Sequence, residues 1–421
     1  MRAWKPLGRA AAYGAVGYAW VVAAQQYIAY REIKYREQFD DVTLKYAPIK
    51  VFGRYMNPFT EYRHQTLFEF AFKRAAELFV FSIPGNVPDN PELIQKSLPT
   101  FVPDFVKSVP QNKLFLTWIG QSCFVAQLPG TTSGTSSGTS SGTNSTSGSN
   151  EDAPDLNKDS TSGIIDINKS NQAGCVTILA DPMFADYVVS PRVGPQRIVP
   201  APCSPIDLPN PDVVLVSHDH QDHLDLEAIA DKAFKDSWFV VPVGVKKWLP
   251  ESAQSKCIEM KWWDKIMMPN VDPGLGYEIA CTPTMHWSGR KLYDSNLSLW
   301  CSFVVLKDNK PVLFHGGDTG YSASLFSSIF KVYGPCSLAV LPCGAYIPRW
   351  HLRAQHMAPY EALEAMQDLH ARNMVGVHWG TFVMSEEPFN EPPAMLMDLA
   401  RSQVIEGVNV PKLGKTIEFD I

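Results

Sequence analysis

The sequence lacks any Cys-x-x-Cys pair, and its eight cysteines are scattered along the chain. This distribution excludes a zinc ribbon and a dense disulfide framework, and it favours reduced thiols in or near strands. The chain also lacks a basic surplus, since 37 basic and 43 acidic residues give a net charge of −6. A general nucleic-acid binder needs a basic face, so the composition disfavours that class of function.

Acidic residues are missing before Glu32, and charge of either sign is missing from Ala10 to Tyr30. Three basic residues lie among the first nine. A basic, acid-poor start is typical of a transit peptide, and about 20 apolar residues suffice to cross a bilayer. Three interpretations of residues 1–35 are open: a transit peptide, a single membrane anchor, or a buried first helix. The first two are compatible, and together they predict a membrane-associated protein at the mitochondrial inner membrane.

Apolar residues are plentiful: a hydrophobic content of 45% in 421 residues supports a sizeable core, enough for one large α/β domain with extensions. Residues 36–110 carry charged segments that predict a helical extension without evident chemistry. Residues 111–421 alternate strand and helix patterns, with helices predicted over 226–234 and from Pro359 to about Arg372. A Ser/Gly/Thr-rich tract at 129–173 interrupts them, and it has too little apolar area to offset the entropy of ordering. We therefore predict a disordered insert within the α/β domain.

A cluster of histidines follows one short apolar run. The run at 213–216 is Val-Val-Leu-Val, which predicts a strand buried on both faces. His218, His220, Asp222 and His223 come directly after it. These side chains are nitrogen and oxygen ligands of the kind that zinc takes. In a loop they can face two neighbouring points, which suits two metals about 3.5–4 Å apart.

The same pattern recurs at three later positions. His286, Asp318 and His378 each follow an apolar run that predicts a strand. Any one of them alone is compatible with a structural residue or a tight turn. Loops at strand ends in layered α/β proteins meet in one crevice, so the four loops together indicate a single site.

The ligand count divides these seven side chains between two metals. One metal would be held by three imidazoles: His218, His220 and His286. The other would be held by a carboxylate and two imidazoles: Asp222, His223 and His378. Asp318 would bridge them, because a carboxylate offers one oxygen to each cation. A bridging water then loses its proton near neutral pH and becomes the nucleophile of a hydrolase, while open positions stabilise the developing oxyanion.

The His-x-His-x-Asp-His motif, followed by His, Asp and His in this order, resembles the metallo-β-lactamase superfamily. Within it, the chain is similar to the N-acyl-phosphatidylethanolamine-hydrolysing phospholipases D over residues 100–400 without the insert. The similarity is carried by Thr117-Trp118-Ile119-Gly120, Asp181-Pro182-Met183-Phe184, Gly194-Pro195 with Arg197, Pro202-Cys203 with Leu208-Pro209, Gly317-Asp318-Thr319-Gly320-Tyr321, Gly344-Ala345-Tyr346 with Pro348-Arg349-Trp350, Gln355-His356, and His378-Trp379-Gly380-Thr381-Phe382.

This resemblance implies an α/β fold, the αββα sandwich of the superfamily, with two Zn²⁺ per chain. It also implies a phospholipase D reaction, in which the distal phosphodiester of N-acyl-phosphatidylethanolamine is hydrolysed to phosphatidic acid and an N-acylethanolamine. The partners would then be a membrane phospholipid and the membrane surface, with no nucleic acid. A homodimer is left open.

The resemblance also assigns roles to individual residues. The expected catalytic residues are Asp222, Asp318 and His356. The expected substrate contacts are Gln221, Gln355 and His356. Two positions depart from the family: Gln121 stands where a histidine usually follows Trp-x-Gly, and Gln221 stands where an aromatic residue is usual. Neither position belongs to the family's set of metal ligands.

Three other functions compete with this interpretation. A metal-dependent lactonase or other small-ester hydrolase could use the same site, but the stretch at 344–350 counts against it. A nuclease of the superfamily is disfavoured by the acidic balance. A module with a degraded site is disfavoured because all seven ligands are present.

Overall fold

The computed structural model describes residues 4–65, 69, 87–131, 174–291 and 293–421, with side chains from Tyr13 onward. The predicted insert at 129–173 lies outside the described residues between 132 and 173. The stretch at 68–72, which contributed to the predicted helical extension, also lies outside them apart from Glu69.

The N-terminal segment begins with a long helix and continues into a small hairpin. Its elements are α1 (Trp4–Arg36), α2 (Val42–Lys45), β1 (Ile49–Val51), β2 (Arg54–Met56) and α3 (Pro91–Ser97). Ala29 and Ile33 of α1 pack on the hairpin, whereas Tyr13 and Trp20 are exposed. The hairpin was missed within the extension predicted to be helical, because three-residue strands give no periodic signal. Within the described residues, no helix is both long and apolar enough for a membrane span.

The first of two seven-stranded sheets carries the His218–His223 cluster. In chain order its strands are β3 (Lys113–Gly120), β4 (Cys123–Pro129), β5 (Cys175–Ala180), β6 (Val213–Leu215), β7 (Trp238–Pro242), β8 (Cys257–Met260) and, after the other sheet is complete, β16 (Thr416–Asp420). Their order across the sheet is β16-β3-β4-β5-β6-β7-β8. Pairs from β16 to β5 are antiparallel, and pairs from β5 to β8 are parallel.

The second sheet carries the later candidate ligands. Its strands are β9 (Lys265–Met267), β10 (Tyr277–Thr282), β11 (Ser302–Lys307), β12 (Lys310–His315), β13 (Leu338–Pro342), β14 (Asn373–Val377) and β15 (Val408–Asn409), in this order across the sheet. Again three antiparallel pairs are followed by three parallel pairs. The two sheets therefore share one pattern of strand directions.

The strand before the histidine cluster is buried on both faces, as its sequence predicts. Val213 and Leu215 belong to the large core, which also contains Phe303 of the facing sheet. Val214 and Val216 belong to a second cluster on the opposite face of the same strand. A rigid, doubly covered strand thus ends at the candidate site.

Helices complete the predicted αββα sandwich. They are α4 (Glu251–Gln254), α5 (Ala323–Tyr333), α6 (Arg349–Leu352), α7 (Pro359–Asp368) and α8 (Glu391–Ser402). The helix predicted from Pro359 to Arg372 ends earlier, because His370 takes a left-handed φ of 48° that turns the chain into β14. The helix predicted over 226–234 is instead two 3₁₀ turns, divided by Asp231, whose side chain caps the second turn at Ala233.

Candidate metal centre

Loops from both sheets meet at one buried point. The loop after β6 brings the cluster beginning at His218, and loops after β10, β12 and β14 bring His286, Asp318 and His378. The structure groups the seven predicted ligands into two sets whose donor atoms lie within 4.8 Å of one another. The first set is His218, His220, His286 and Asp318. The second set is Asp222, His223, His378 and the same Asp318.

The Asp318 carboxylate lies between the two sets. Its Oδ2 atom is 3.7 Å from His286 Nε2 and 4.0 Å from His218 Nε2, both in the first set. In the second set, the same oxygen is 3.0 Å from His223 Nε2, and the Oδ1 atom is 3.1 Å from His378 Nε2. This is the placement that a bridging carboxylate requires.

Three imidazoles converge in the first set. His218 Nε2 lies 2.8 Å from His220 Nδ1, and His286 Nε2 lies 3.3 Å from the same atom. The ring of His286 is held from behind, since its Nδ1 atom donates to the carbonyl oxygen of Gln355 at 3.0 Å. An acceptor on the far side of the ring fixes the tautomer and directs the other nitrogen into the site.

Asp181 orients a histidine of the second set in the same way. Its Oδ2 atom accepts hydrogen bonds from His223 Nδ1 at 2.8 Å, His315 Nε2 at 2.9 Å and Ser217 Oγ at 2.8 Å. The Asp181 side chain is fully buried. Its position after β5 repeats the strand-end pattern of the predicted ligands. That pattern was the available signal for Asp181, to which the sequence analysis gave no role.

Burial and neighbouring charges shift the pKa values of the site in opposite directions. Burial alone raises the pKa of Asp318, but the imidazoles around it, with His223 foremost, outweigh burial and hold the pKa well below its usual range. Burial lowers the pKa of His220 and of His286 to about 3. Burial also opposes protonation of His378, yet Asp318 and Asp222 raise its pKa to about 9. Positive charge at this point would therefore stabilise the buried carboxylates, and either protons or metal cations can supply it.

The donor set fits metal ions in a further respect. His223 Nε2 and Asp318 Oδ1 are buried and, although they lie 3.0 Å from Asp318 Oδ2 and 3.1 Å from His378 Nε2 respectively, neither makes a hydrogen bond in the described part of the chain. Buried polar atoms rarely stay unpaired, and both atoms belong to the group that faces His378. Imidazole nitrogens and carboxylate oxygens suit zinc and related divalent ions. The two groups could therefore hold metal ions.

The residues predicted to contact substrate lie at different distances from this point. His356 is nearest, with Nδ1 buried, without a described hydrogen-bond partner, and 3.8 Å from Asp318 Oδ2. Gln355 lies behind His286, and its Oε1 atom accepts from Trp287 Nε1 at 3.2 Å. Gln221 is half-buried in the motif loop, where its Nε2 atom donates to the carbonyl oxygen of Arg290 at 2.9 Å.

Arg290 is a further residue that the sequence analysis missed. Its Nη1 atom donates to the carbonyl oxygens of Asp219 at 3.1 Å and Leu224 at 2.9 Å. Asp219 in turn accepts from Gly289 N at 2.7 Å and Trp248 Nε1 at 3.0 Å. These contacts fix the backbone of the motif loop, so the side chains of the loop are held in place from outside the metal groups.

The chain is similar in sequence to known proteins. The model of the beta-lactamase superfamily domain matches residues 176–379. The mitochondrial N-acyl-phosphatidylethanolamine-hydrolyzing phospholipase D of Saccharomyces cerevisiae is 39% identical over 383 residues, which are 90% of this chain and 78% of that protein. The N-acyl-phosphatidylethanolamine-hydrolyzing phospholipase D 1 of Caenorhabditis elegans is 37% identical over 53% of this chain and 65% of its own length. Among solved structures, the metallo hydrolase Igni18 of Ignicoccus hospitalis has a TM-score of 0.47 at 21% identity, covering 73% of this chain and 99% of that chain.

Proposed function

The chain belongs to the N-acyl-phosphatidylethanolamine-hydrolysing phospholipase D family of the beta-lactamase superfamily, and from this premise we propose its substrate and metal. It is a metal-dependent hydrolase of this family. We propose that it hydrolyses N-acyl-phosphatidylethanolamine at the distal phosphodiester, releasing an N-acylethanolamine and phosphatidic acid. We propose further that each chain uses two zinc ions.

One observation carries the proposal: Asp318 is shared by two groups of buried nitrogen and oxygen donors. A site with two neighbouring cations suits phosphodiester hydrolysis, because both the attacking and the leaving oxygen need stabilisation. Bound divalent ions would supply Lewis-acid stabilisation and a deprotonated water as nucleophile. His218, His220 and His286 would hold one ion, and Asp222, His223 and His378 the other.

His356 is the residue we assign to the substrate phosphodiester. Burial lowers its pKa to about 3, so the imidazole is neutral at physiological pH and has one N–H to donate. Its Nδ1 atom has no described partner and lies 3.8 Å from Asp318 Oδ2, on the edge of the candidate metal groups. A neutral donor there can stabilise a phosphoryl oxygen without competing with cations for the carboxylate.

The location of the enzyme is proposed from its N-terminus and its relatives. The yeast relative is named as a mitochondrial protein, and the first nine residues here include three basic ones. We propose a mitochondrial protein whose N-terminal segment brings it to the membrane surface. Cell fractionation of the full chain and a version lacking residues 1–35 tests this, and an unchanged distribution between the two would contradict it.

Product analysis tests the reaction itself. The purified full chain is incubated separately with N-acyl-phosphatidylethanolamine, a lactone and an RNA, and the products are identified by mass spectrometry. We expect an N-acylethanolamine and phosphatidic acid in equal amounts, and Asp318→Asn should abolish both. Release of diacylglycerol, or turnover of the lactone or RNA alone, would refute the proposed function.

A further inference from the structure

Gln121 lies inside the second candidate metal group although it was not expected among its ligands. The residue occupies the tight turn between β3 and β4 and is only 1% exposed. Its side-chain amide nitrogen, Nε2, is 2.8 Å from Asp222 Oδ2 and 2.8 Å from His378 Nε2. The Asp222 Oδ2 atom faces His223 Nε2 at 3.5 Å, and the His378 Nε2 atom faces Asp318 Oδ1 at 3.1 Å. The end of the Gln121 side chain therefore touches two prospective metal donors at once.

The backbone of Gln121 is fixed in this position at the cost of strain. Its φ is 51°, in the left-handed region that a non-glycine residue rarely adopts. Its N–H donates to Thr381 Oγ1 at 2.6 Å, and its carbonyl oxygen accepts from His378 N at 3.0 Å and Trp118 Nε1 at 2.8 Å. Strained positions persist where the surroundings over-determine them and are common at functional sites. The same turn thus holds both Gln121 and the His378 backbone.

The shared pattern of the two sheets gives Gln121 a counterpart. β3 and β10 each take the second place in their sheet, next to an antiparallel edge strand. The segment after β10 supplies His286 to the first metal group. The segment after β3 supplies Gln121 to the second group. The position that contributes a ligand in one half therefore contributes Gln121 in the other.

We propose that Gln121 is a further ligand of the second metal group and binds the ion through Oε1. With a cation present, His378 Nε2 would be used for coordination and could not accept from the amide N–H, which would then point towards positive charge. Rotation of the amide by half a turn exchanges its nitrogen and oxygen, which have nearly the same shape. A neutral carbonyl oxygen then faces the ion beside Asp222 and His378.

This assignment deepens the proposed function and rests on its two-metal site. The first group offers three imidazoles and one carboxylate. The second group would offer two imidazoles and three oxygen donors, from Asp222, Asp318 and Gln121. Oxygen-rich sites suit harder ions than imidazole-rich sites do, so the two positions should differ in affinity and in the ions that they accept.

Metal titration of the metal-free full chain with Co²⁺ tests the assignment. We expect the wild type to bind two equivalents by calorimetry. In Gln121→Met the first equivalent should bind as before, and the second about 10–100-fold more weakly, as typical changes near a metal site do. The visible absorption of the fully loaded variant should intensify, because losing a ligand lowers the coordination number. Gln121→Glu should bind the second equivalent at least as tightly as the wild type.

One control variant and one replacement variant accompany this test. Gln127→Met replaces a buried glutamine of the same sheet whose amide contacts Val106, and it should leave both equivalents unchanged. If Gln121→Met does not fold, Gln121→Asn replaces it, since asparagine tolerates a left-handed φ but is one methylene shorter. An unchanged second affinity, or a weaker one with an unchanged cobalt spectrum, would overturn ligation by Gln121. Neither outcome bears on the proposed reaction, which would be refuted if the wild type left N-acyl-phosphatidylethanolamine intact.

Discussion

Asp181 and His223 form a buried pair in which the carboxylate accepts from Nδ1 at 2.8 Å, leaving Nε2 to face Asp318 at 3.0 Å. Burial raises the pKa of Asp181, but His315 and His223 outweigh burial and hold it well below its usual range. Asp181 therefore remains ionised and keeps the Nε2 nitrogen of His223 directed into the candidate site. It is a positioning residue for the second candidate metal group.

Asp181→Asn should weaken metal binding by about 10–100-fold, because an amide cannot accept from His223, His315 and Ser217 as the carboxylate does. Metal content after dialysis against a chelator measures the effect. Asp236→Asn is the control, since that exposed carboxylate pairs with Lys235 and Lys256, and it should change nothing. Equal metal retention in the two variants would contradict a positioning role for Asp181.

Metal affinity should rise with pH. In the metal-free protein Asp318 and Asp222 raise the pKa of His378 to about 9, so an ion must displace its proton. Below that pH, apparent affinity should increase about tenfold per pH unit for each proton displaced. The same shift stabilises the metal-free fold fully below the unfolded pKa of about 6.5, and that contribution is lost as pH rises through about 9. Calorimetry in buffers of different ionisation enthalpy counts the protons, and finding none released at pH 7 would be inconsistent with this account.

Gly344→Ala should distort the second metal group and lower the free energy of unfolding by about 1–3 kcal/mol. A β-carbon at Gly344 would overlap the carbonyl oxygen of His378, so either the turn or the strand end must move. Chemical denaturation and metal content measure the two effects. Gly14→Ala, whose β-carbon meets no atom of the described residues within 4 Å, serves as the control, and equal behaviour of both variants would be evidence against the close packing.

Arg290→Met should lower the free energy of unfolding by about 2 kcal/mol, since the backbone oxygens of Asp219 and Leu224 lose a charged donor. Metal loss should accompany it, because those oxygens belong to the loop that carries His220. Lys291→Met, at the exposed neighbouring position, should have little effect on either quantity. Urea unfolding followed by metal analysis compares the two variants. If Arg290→Met is as stable as Lys291→Met, Arg290 does not support the loop.

Much of the fold could be predicted because its strands are short, apolar and bounded by turn residues. The run at 213–216 is buried on both faces as expected. The polar residues at strand ends indicated where the loops meet. The hairpin at 49–56 and the early end of α7 at Asp368 depend on turns of one or two residues. Such turns leave no periodic pattern in the sequence.

The candidate metal ligands could be predicted from residue spacing in the sequence. The residues that hold those ligands in place could not. Asp181, at the end of β5, reaches His223 after the adjacent β6 and His315 at the end of β12 in the other sheet, and Arg290 reaches the motif loop from beyond β10. These contacts join distant parts of the chain, so a local pattern can mark Asp181 as a strand-end residue but cannot show which histidines it supports. Gln121 was noticed only as a departure from the family, because its proximity to Asp222 depends on how β3 and β6 lie in the sheet.

The division of ligands between two sheets has a consequence for the order of events in synthesis. His218 and its neighbours leave the ribosome well before His378, and until β14 has emerged and paired with β13 the second group lacks one of its imidazoles. A cation that reaches the growing chain early finds only isolated histidines, which bind weakly compared with a formed site. The second group can therefore bind a metal ion stably only after β14 has emerged, so the full site can be loaded only after translation has passed His378.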